Sequence, residues 1–417
     1  MGLAERNYPT MNTKLPGFSY LERYRNKGTR TYSSHASYTE AADHYRPDSE
    51  HDQFELPAFN VPRSHLNIYT ANPPHELALK YLKPSGALFC IHPQVLAMCP
   101  EDAYVNQILA ESAASELIPV IPSSSTRTLL AADVDTPHAL KVHFPFKVSR
   151  YTRKMRNEVI EQAVNVSREL EEGVDHLDKD FAFLREVIGV AHKNVDPDSA
   201  RGENWGYLVR DMVPFPQREK VGLLVPGFAL YGEDYFDPAA PLLLFDLISE
   251  RDPVAYILGN LMLPIVRHWI ACFLNFGFML EPHGQNVLLE VDEDNSVSRI
   301  VHRDLSVGID MRRRREIGLP DGKLNNYNRT EDSAFQSVTY DRFMGGHFFS
   351  RLVAACQSRY PEIPKDAFAQ PCREEFARLL PAYEKYFPDT IWYFSEERDQ
   401  FNKPYYVDTG AVPEWRP

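Results

Sequence analysis

The chain has 417 residues, of which 43% are hydrophobic and 25% are charged, and its formal net charge is −13. This length exceeds what one hydrophobic core usually organises, so we expect several packed subdomains. The acidic balance argues against non-specific binding to nucleic acid. No uninterrupted apolar run approaches the roughly 20 residues that a membrane helix needs. The composition therefore favours a globular protein that contacts neither nucleic acid nor membrane.

The N-terminal residues and the cysteines indicate the cellular compartment in which the protein is expected. The segment MGLAERNYPTMNTK lacks the apolar core of a signal peptide. The five cysteines are scattered, odd in number and without a CxxC pair. Such usage is typical of a reducing compartment and argues against a zinc cluster. We therefore expect a cytoplasmic location.

The first half of the chain predicts short strands and two helices. Residues 1–55 are polar, lack apolar periodicity and predict a loosely ordered lead. A helix is expected from Pro100 or Glu101 to about Leu117, because proline suits a first helical turn and apolar residues follow at helical spacing. The remaining expected elements are a strand entering the Ser/Thr cluster of 118–130, a strand over His138–Phe144 and a helix over about 152–170.

The second half predicts one long helix between groups of strands. Strands or buried segments are expected over Trp205–Val213 and Gly222–Tyr231. Asp252 before Pro253 marks the start of an apolar helix that ends near Gly277. Strands follow over 286–291 and 298–301, and helical segments interrupted by prolines extend from about residue 343. This mixture predicts an α+β fold with several subdomains.

Polar residues crowd the junction between that long helix and the next strand. The cluster consists of Glu281, His283, Gln285 and Asn286 in the segment EPHGQN, followed after a hairpin by Arg303 and Asp304. Polar groups beside a core are costly unless they bind something. Glu281, Gln285 and Asp304 offer the hard oxygen ligands that Mg²⁺ prefers. His283 can offset developing charge or hold a carboxylate. Taken singly, these residues also fit turns and caps; taken as a set, they predict a catalytic site.

The layout of this segment resembles the catalytic segment of kinase-like enzymes, in which a polar loop, a hairpin and a metal-binding aspartate follow in order. A phosphotransferase that acts on a hydroxyl needs a carboxylate base in the loop. Gln285 stands where that base is expected. A carboxylate nucleophile is already anionic at neutral pH and needs no base. The segment therefore predicts attack by a carboxylate on a nucleotide phosphate.

A second cluster combines hydroxyls with cations. It contains Ser125, Arg127, Thr128, Lys141, Ser149 and Arg153. Arginine offers bidentate contacts to phosphate and lysine offers a point charge, so the cluster suits a polyphosphate. Lys141 alternates with apolar neighbours on a predicted strand, and its ammonium group is therefore expected to point away from that core face. The SxRT segment alone is typical of a surface turn, and its value lies in the ordered series that follows it.

The order of these motifs is similar to that of the NRPS-independent siderophore synthetases of the aerobactin-synthetase type. The shared series is SxRT, a strand lysine, Ser-x₃-Arg, ExHGQN and RDxxxG, from about Ile118 to Gly308, and it includes VRDMVP at Val209–Pro214. The resemblance implies a ligase that uses ATP and Mg²⁺ to adenylate a carboxylic acid, citrate-like or other. The acyl group is then condensed with an amine or hydroxyl in the synthesis of a siderophore or related product. A hand-like fold of thumb, fingers and kinase-like palm is implied as well.

The resemblance also assigns roles to residues. ATP phosphates would be held by Ser125, Arg127, Thr128 and Lys141. Mg²⁺ and nucleotide would contact Glu281, Gln285 and Asp304, with Asn286 supporting the loop. Arg153 and His283 would contact phosphate or the acid, with Ser149 beside them and Lys403 as a candidate C-terminal substrate lysine. The expected catalytic residues among these are His283, Arg153 and Lys141.

The implied subdomains are a polar lead (1–55), a reduced thumb (56–118), fingers (119–250) and a palm (251–417). About 120 residues precede the SxRT segment, and this region is shorter than is usual in the family. The sequence does not predict which acid or which nucleophile is used. Because enzymes of this family are often dimers, a homodimer is one expected assembly. Two alternatives also stay open: a small-molecule phosphotransferase on the same palm, and a non-catalytic relative that binds a nucleotide or an acid.

Overall fold

The computed structural model describes residues 13–29, 38–99, 101–112, 115–149, 151–193, 205–319, 324, 328–398 and 404–417. The elements of the first half are α1 (Pro16–Tyr24), β1 (Phe54–Pro62), β2 (Leu66–Thr70), α2 (His75–Tyr81), β3 (Leu82–Lys83), β4 (Gly86–Cys90), α3 (Pro93–Met98), α4 (Ala103–Glu111), β5 (Ser115–Pro122), β6 (Thr128–Ala131), β7 (His138–Val142), β8 (Phe144–Val148), β9 (Tyr151–Arg153), α5 (Asn157–Glu172), β10 (Phe181–Phe183), β11 (Glu186–His192) and β12 (Gly206–Asp211).

The elements of the second half are β13 (Leu223–Pro226), α6 (Leu243–Ile248), α7 (Pro253–Ile257), α8 (Leu263–Phe276), β14 (Phe278–Met279), β15 (Val287–Val291), β16 (Val297–His302), β17 (Gly308–Asp310), α9 (Met311–Glu316), β18 (Arg329–Thr330), α10 (Ala334–Ser337), α11 (Ser350–Gln357), α12 (Asp366–Leu379), β19 (Trp392–Arg398) and β20 (Pro404–Asp408). Two π-helical stretches, Leu258–Met262 and Val338–Phe349, connect α7 to α8 and α10 to α11.

The largest sheet is antiparallel and has nine strands in the order β2-β11-β12-β7-β6-β5-β1-β4-β3. One face packs with α2, α3 and α4 around a core that contains Leu140 and Val142 of β7. The other face packs under α5, where a Cβ atom on Gly189 or Gly206 would lie 2.4 Å from the side chain of Ile160. Because side chains alternate along a strand, Lys141 points away from the Leu140 core, as predicted.

The long apolar helix and the four-stranded sheet form the second core. Asp252 caps α7, since its Oδ1 accepts a hydrogen bond from the Ala255 amide at 2.7 Å. The helix ends at Gly277, which has a φ of +70°. By length and composition the stretch Pro253–Phe276 would also suit a membrane span, but 56% of the tested window is buried inside the protein. It is the central core helix beside the sheet β10-β16-β15-β13.

Helix α1 packs where the two sheets meet. Phe18 and Tyr24 of α1 share a core with Ile121 and Leu130 of the large sheet and with Leu288 of the small sheet. Phe18 is 1% exposed. The prediction of a loosely ordered lead over residues 1–55 was therefore wrong for this segment, because its few apolar residues are all on the buried side of a short helix.

Two other predicted boundaries differ from the structure. The helix expected to reach Leu117 ends at Glu111, and Leu117 lies in β5, paired with Pro57 of β1. The helix expected from residue 152 begins at Asn157, after the strand β9. In both places strand pairing outweighs helical spacing. The subdomain boundary expected at 118–119 falls inside β5, so the large sheet extends across it.

We predict that Phe18→Ala lowers the free energy of unfolding by about 3 kcal/mol, since it removes a buried ring from the junction of the two sheets. Leu79→Ala is the control, because Leu79 is 62% exposed and its loss should change stability by no more than about 0.5 kcal/mol. Urea denaturation measures both. Equal effects of the two substitutions would show that α1 is not packed as described.

Candidate active site

A cavity lies at the junction of the two sheets. It is lined by Glu22, Ser123, Ser125, Arg127, Thr128, Lys141, Val148, Arg153, Arg210, Gln285, Asn286, Arg303 and Asp304. Eight of these residues were candidate site residues from the sequence: Ser125, Arg127, Thr128, Lys141, Arg153, Gln285, Asn286 and Asp304. The lining includes five lysine or arginine side chains and two carboxylates. This excess of positive charge suits a polyanion.

The SxRT loop forms one wall of the cavity. Ser125 Oγ accepts a hydrogen bond from the Thr128 amide at 3.1 Å, and Thr126 adopts a φ of +68°. Arg127 Nη1 donates to the carbonyl oxygens of Arg153 at 3.0 Å and Lys154 at 3.3 Å. The loop is therefore fastened to β9, with hydroxyls and cations facing the same space.

Lys141 and Asp304 join the two sheets through an ion pair. Lys141 Nζ donates to Asp304 Oδ1 at 2.6 Å, and the lysine side chain is 5% exposed. Burial opposes ionisation of Asp304, but Lys141, Arg210 and Arg127 outweigh it and hold the pKa of this carboxyl below its ordinary range. Arg210 is itself fixed, since its Nε donates to Glu186 Oε1 at 2.9 Å. Asp304 is therefore a carboxylate at neutral pH.

The antiparallel register of β15 and β16 brings the HGQN loop beside Asp304. Val287 pairs with His302, and the Arg303 amide donates to the Asn286 carbonyl at 3.0 Å. Gly284 permits this approach, because a Cβ atom there would lie 2.3 Å from Tyr231 Oη. The loop is thus held by main-chain contacts on both sides.

Unusual backbone conformations accompany the cavity. Thr126, Ser149 and Asp304 have φ values of +68°, +62° and +69°. Left-handed conformations in residues other than glycine cost free energy and concentrate at functional sites, most clearly for a β-branched residue such as threonine. All three are cavity residues or neighbours of them in sequence.

His283, Glu281 and Ser149 lie outside the lining of the cavity. Burial, with the neighbouring side chains of His347, Arg303 and Arg153, lowers the pKa of His283 to about 3. Its ring packs edge-on to Phe343 at 5.5 Å between centroids. His283 is therefore neutral at pH 7 in this state and offers a hydrogen bond rather than a positive charge. Ser149 is buried, at 4% exposure, and Lys403 lies outside the described residues.

Glu281 and Asp304 are carboxyl groups that interact electrostatically. Burial and the charge of Asp304 raise the pKa of Glu281 to about 8. A cation that both carboxyl groups ligate would favour the ionised form of Glu281. Gln285 adds a neutral oxygen at the cavity wall. Their hard oxygen donors match the chemistry of Mg²⁺.

Three charged residues of the cavity lining had no role assigned from the sequence: Glu22, Arg210 and Arg303. Glu22 is fully buried in α1; its Oε1 accepts from Ser124 Oγ at 2.6 Å and from Arg303 Nη2 at 3.0 Å. Gln285 Nε2 in turn donates to Ser124 Oγ at 3.3 Å. Glu22 thus connects the SxRT loop to the HGQN loop. Arg210 and Arg303 stand in the quoted motifs VRDMVP and RDxxxG, but nothing local to the sequence marks Glu22.

The fold and the cavity define a protein of mixed α/β architecture with a cavity between two sheets that is rich in arginine and lysine side chains. Residues 37–231 match the IucA / IucC family, and residues 261–394 match the family described as ferric iron reductase FhuF-like transporter. The first match includes the SxRT loop, and the second includes the HGQN loop. No curated protein has a significant similarity to the sequence.

Solved structures share the fold over most of the chain. The ATP-bound aerobactin synthetase IucA from a hypervirulent pathotype of Klebsiella pneumoniae has a TM-score of 0.65 at 13% identity, covering 87% of this chain and 70% of that one. The petrobactin biosynthesis protein AsbB from Bacillus anthracis str. Sterne has a TM-score of 0.67 at 15% identity, covering 88% and 69%. Aerobactin synthetase IucC from the same Klebsiella pathotype has a TM-score of 0.63 at 14% identity, covering 83% and 65%.

The family match and the shared fold confirm the resemblance that the ordered motifs predicted. The match to the IucA / IucC family covers residues 37–231, a little under half of the chain. The mixed α/β fold of the chain is that of the aerobactin and petrobactin proteins.

We predict that Glu22→Ala lowers the free energy of unfolding by about 3 kcal/mol, because the guanidinium of Arg303 would stay buried without its counter-charge. Glu55→Ala, at an exposed position of β1, is the matched control and should be close to neutral. Chemical denaturation monitored by tryptophan fluorescence measures the difference. A cost below about 1 kcal/mol for Glu22→Ala would contradict its place in this network.

Proposed function

We propose that the protein is an ATP- and Mg²⁺-dependent ligase that adenylates a carboxylic acid and passes the acyl group to an amine or hydroxyl. The observation that carries this proposal is the cavity itself, in which five cations converge and Gln285 replaces the base that a hydroxyl-directed phosphotransferase requires. The match of residues 37–231 to the IucA / IucC family supports it. The product is a siderophore or a related amide or ester.

ATP phosphates are held by the cations and hydroxyls of the two loops. Arg127, Lys141 and Arg153 supply positive charge, and Ser125 and Thr128 supply hydrogen bonds. These groups are fixed before the nucleotide binds, since Arg127 is tied to β9 and Lys141 to Asp304. Fixed donors stabilise charge on the transferring group without reorganising during the reaction. Asn286 holds the loop, and Ser149 supports the segment that leads to Arg153.

Adenylation joins the acid to the nucleotide. A carboxylate oxygen of the acid attacks the α-phosphorus, the new oxygen–phosphorus bond forms, and the bond to the β-phosphate oxygen breaks as pyrophosphate leaves. The amine or hydroxyl then attacks the acyl carbon, AMP leaves with the electron pair of the broken bond, and the nucleophile's proton passes to solvent. Arg153 and neutral His283 orient the acid, and Lys403 is proposed as a further contact to it. Bringing the two reactants together supplies much of the rate.

Glu281, Gln285 and Asp304 are the proposed Mg²⁺ ligands. When bound, the ion supplies positive charge that offsets developing charge on the phosphates. The fold is proposed to work as thumb, fingers and kinase-like palm, with the palm formed by the part of the chain that carries HGQN and RDxxxG. We propose that the enzyme acts in the cytoplasm as a monomer or homodimer.

The direct test is carboxylate-dependent exchange of labelled pyrophosphate into ATP, screened across di- and tricarboxylic acids with amines added in a second series. We expect at least one acid to support exchange, and an amine to convert exchange into net AMP formation. Formation of ADP and a phosphorylated alcohol would replace the proposal with the phosphotransferase alternative. Nucleotide binding without any turnover would favour the non-catalytic alternative.

We predict that Lys141→Met lowers the exchange rate by about 10²–10³-fold, as expected for loss of one fixed donor to a developing anion. Lys220→Met is the control, because Lys220 is exposed and does not line the cavity. Circular dichroism checks that both variants are folded. An unchanged exchange rate in the folded Lys141→Met variant would contradict the proposal that Lys141 binds the ATP phosphates.

We predict that chelation by EDTA abolishes exchange and that added Mg²⁺ restores it. Glu281→Gln should raise the Mg²⁺ concentration needed for half-maximal rate by at least about tenfold, because one anionic ligand is lost. Glu293→Gln, in the exposed hairpin turn, should leave this concentration unchanged. Full activity in EDTA, or equal Mg²⁺ dependence in both variants, would contradict the metal assignment.

A further inference from the structure

A second group of ligand-type side chains lies at the edge of the large sheet, away from the cavity. His65, Glu111 and His192 each offer one ligand atom, and these atoms all lie within 4.8 Å of one another. Among the described residues, no other group of at least three His, Cys, Asp or Glu side chains converges in this way. None of the three residues lines the cavity.

The contacts within the group are short and specific. His65 Nδ1 lies 3.0 Å from Glu111 Oε1, and His192 Nε2 lies 3.1 Å from Glu111 Oε2. Zinc binds imidazole nitrogen and carboxylate oxygen at about 2.0–2.2 Å, so neighbouring donors around a tetrahedral ion are about 3.3 Å apart. Small side-chain adjustments would therefore admit an ion among these three donors.

Three separate elements fix the donors. His65 ends the turn before β2, His192 ends β11, and Glu111 ends α4. The two histidines are neighbours because Leu66 pairs with His192 across the sheet, and the Lys193 amide donates to the His65 carbonyl at 2.7 Å. The sheet thus presents both rings to the end of one helix.

The group of His65, Glu111 and His192 is enclosed by protein on one side and open to solvent on the other. The side chain of His192 is 0% exposed and that of Glu111 is 15% exposed, whereas His65 is 37% exposed. Gln107, one turn earlier on α4, donates to Glu111 Oε1 at 2.8 Å and so orients the carboxylate. Hydrogen bonds that orient a ligand in this way are typical of metal-binding sites. A fourth ligand, such as water, has access beside His65.

We propose that His65, His192 and Glu111 bind one divalent transition-metal ion of the Zn²⁺ class, which fastens α4 to the edge of the nine-stranded sheet. Two imidazoles and one carboxylate suit zinc with an open fourth position, and they do not suit Mg²⁺, which prefers oxygen ligands. The competing explanation is a hydrogen-bonded network in which Glu111 bridges two imidazoles without metal.

The test uses the full chain without a histidine tag, stripped with a chelator and titrated with Zn²⁺ in a calorimeter. We expect one equivalent of Zn²⁺ to bind and to raise Tm, while Mg²⁺ produces neither effect at this site. X-ray absorption should show nitrogen and oxygen ligands from two imidazoles and one carboxylate. Absence of stoichiometric Zn²⁺ binding would establish the metal-free network instead.

Variants assign the ion to these residues. Glu111→Gln and His65→Ala should each weaken Zn²⁺ binding by more than about 100-fold, and Gln107→Ala, which removes only an orienting hydrogen bond, by about tenfold. His75→Ala, at an exposed histidine on α2, is the matched control and should bind Zn²⁺ as the native chain does. Circular dichroism confirms folding, and His65→Ala is informative because His65 is the most exposed of the three. Equal affinity in Glu111→Gln, His65→Ala and the control would overturn the assignment, whatever the outcome of the exchange assay.

Discussion

The ion pair between buried Lys141 and partly exposed Asp304 is the contact on which the site depends. It joins β7 of the large sheet to the loop after β16 of the small sheet at 2.6 Å. Removing the lysine charge from water is costly, and the close contact with a carboxylate offsets that cost. The pair therefore fixes the relative position of the two sheets, and with it the distance between the SxRT loop and the HGQN loop. The proposed binding of a polyphosphate by both loops depends on that distance.

The remaining charges around the cavity follow the same rule. Glu186 holds Arg210, and Glu22 holds Arg303 together with Ser124. In each case a carboxylate positions a cation whose other face is directed to the cavity. The cations are thus arranged before any ligand binds, and the free energy of arranging them is supplied by folding rather than by binding. Helix α1 belongs to this arrangement, because Glu22 reaches the cavity from a segment whose apolar side packs between the sheets.

Much of the site was predictable from sequence because its members occur in short, ordered motifs. Residues of SxRT, HGQN and RDxxxG do reach one cavity, and Lys141 points as strand alternation requires. Local sequence patterns were insufficient where strand pairing decides the secondary structure. The apolar spacing before Leu117 suits a helix, but residues 115–120 pair with strand β1.

Glu22 illustrates a second limit of prediction from sequence. A glutamate in a polar lead gives no local signal, since its role exists only after α1 has packed beside Ser124 and Arg303. Side-chain direction sets a third limit, as His283 is in the expected loop but outside the cavity lining.

The neutral state of His283 bears on the proposed chemistry. A carboxylate that attacks phosphorus must be oriented without losing its nucleophilicity. A fully charged neighbour would stabilise the carboxylate most in the ground state, where its charge is greatest, and such stabilisation does not accelerate the step. Burial together with the surrounding cations keeps this imidazole uncharged, so in the proposed reaction it would orient the acid through a hydrogen bond. The cations that line the cavity, Arg127, Lys141 and Arg210 among them, are instead the groups proposed to offset charge on the phosphates. The difference between His283 and Lys141 follows from their neighbours: burial lowers the pKa of both groups, and for Lys141 the carboxylate of Asp304 opposes that effect.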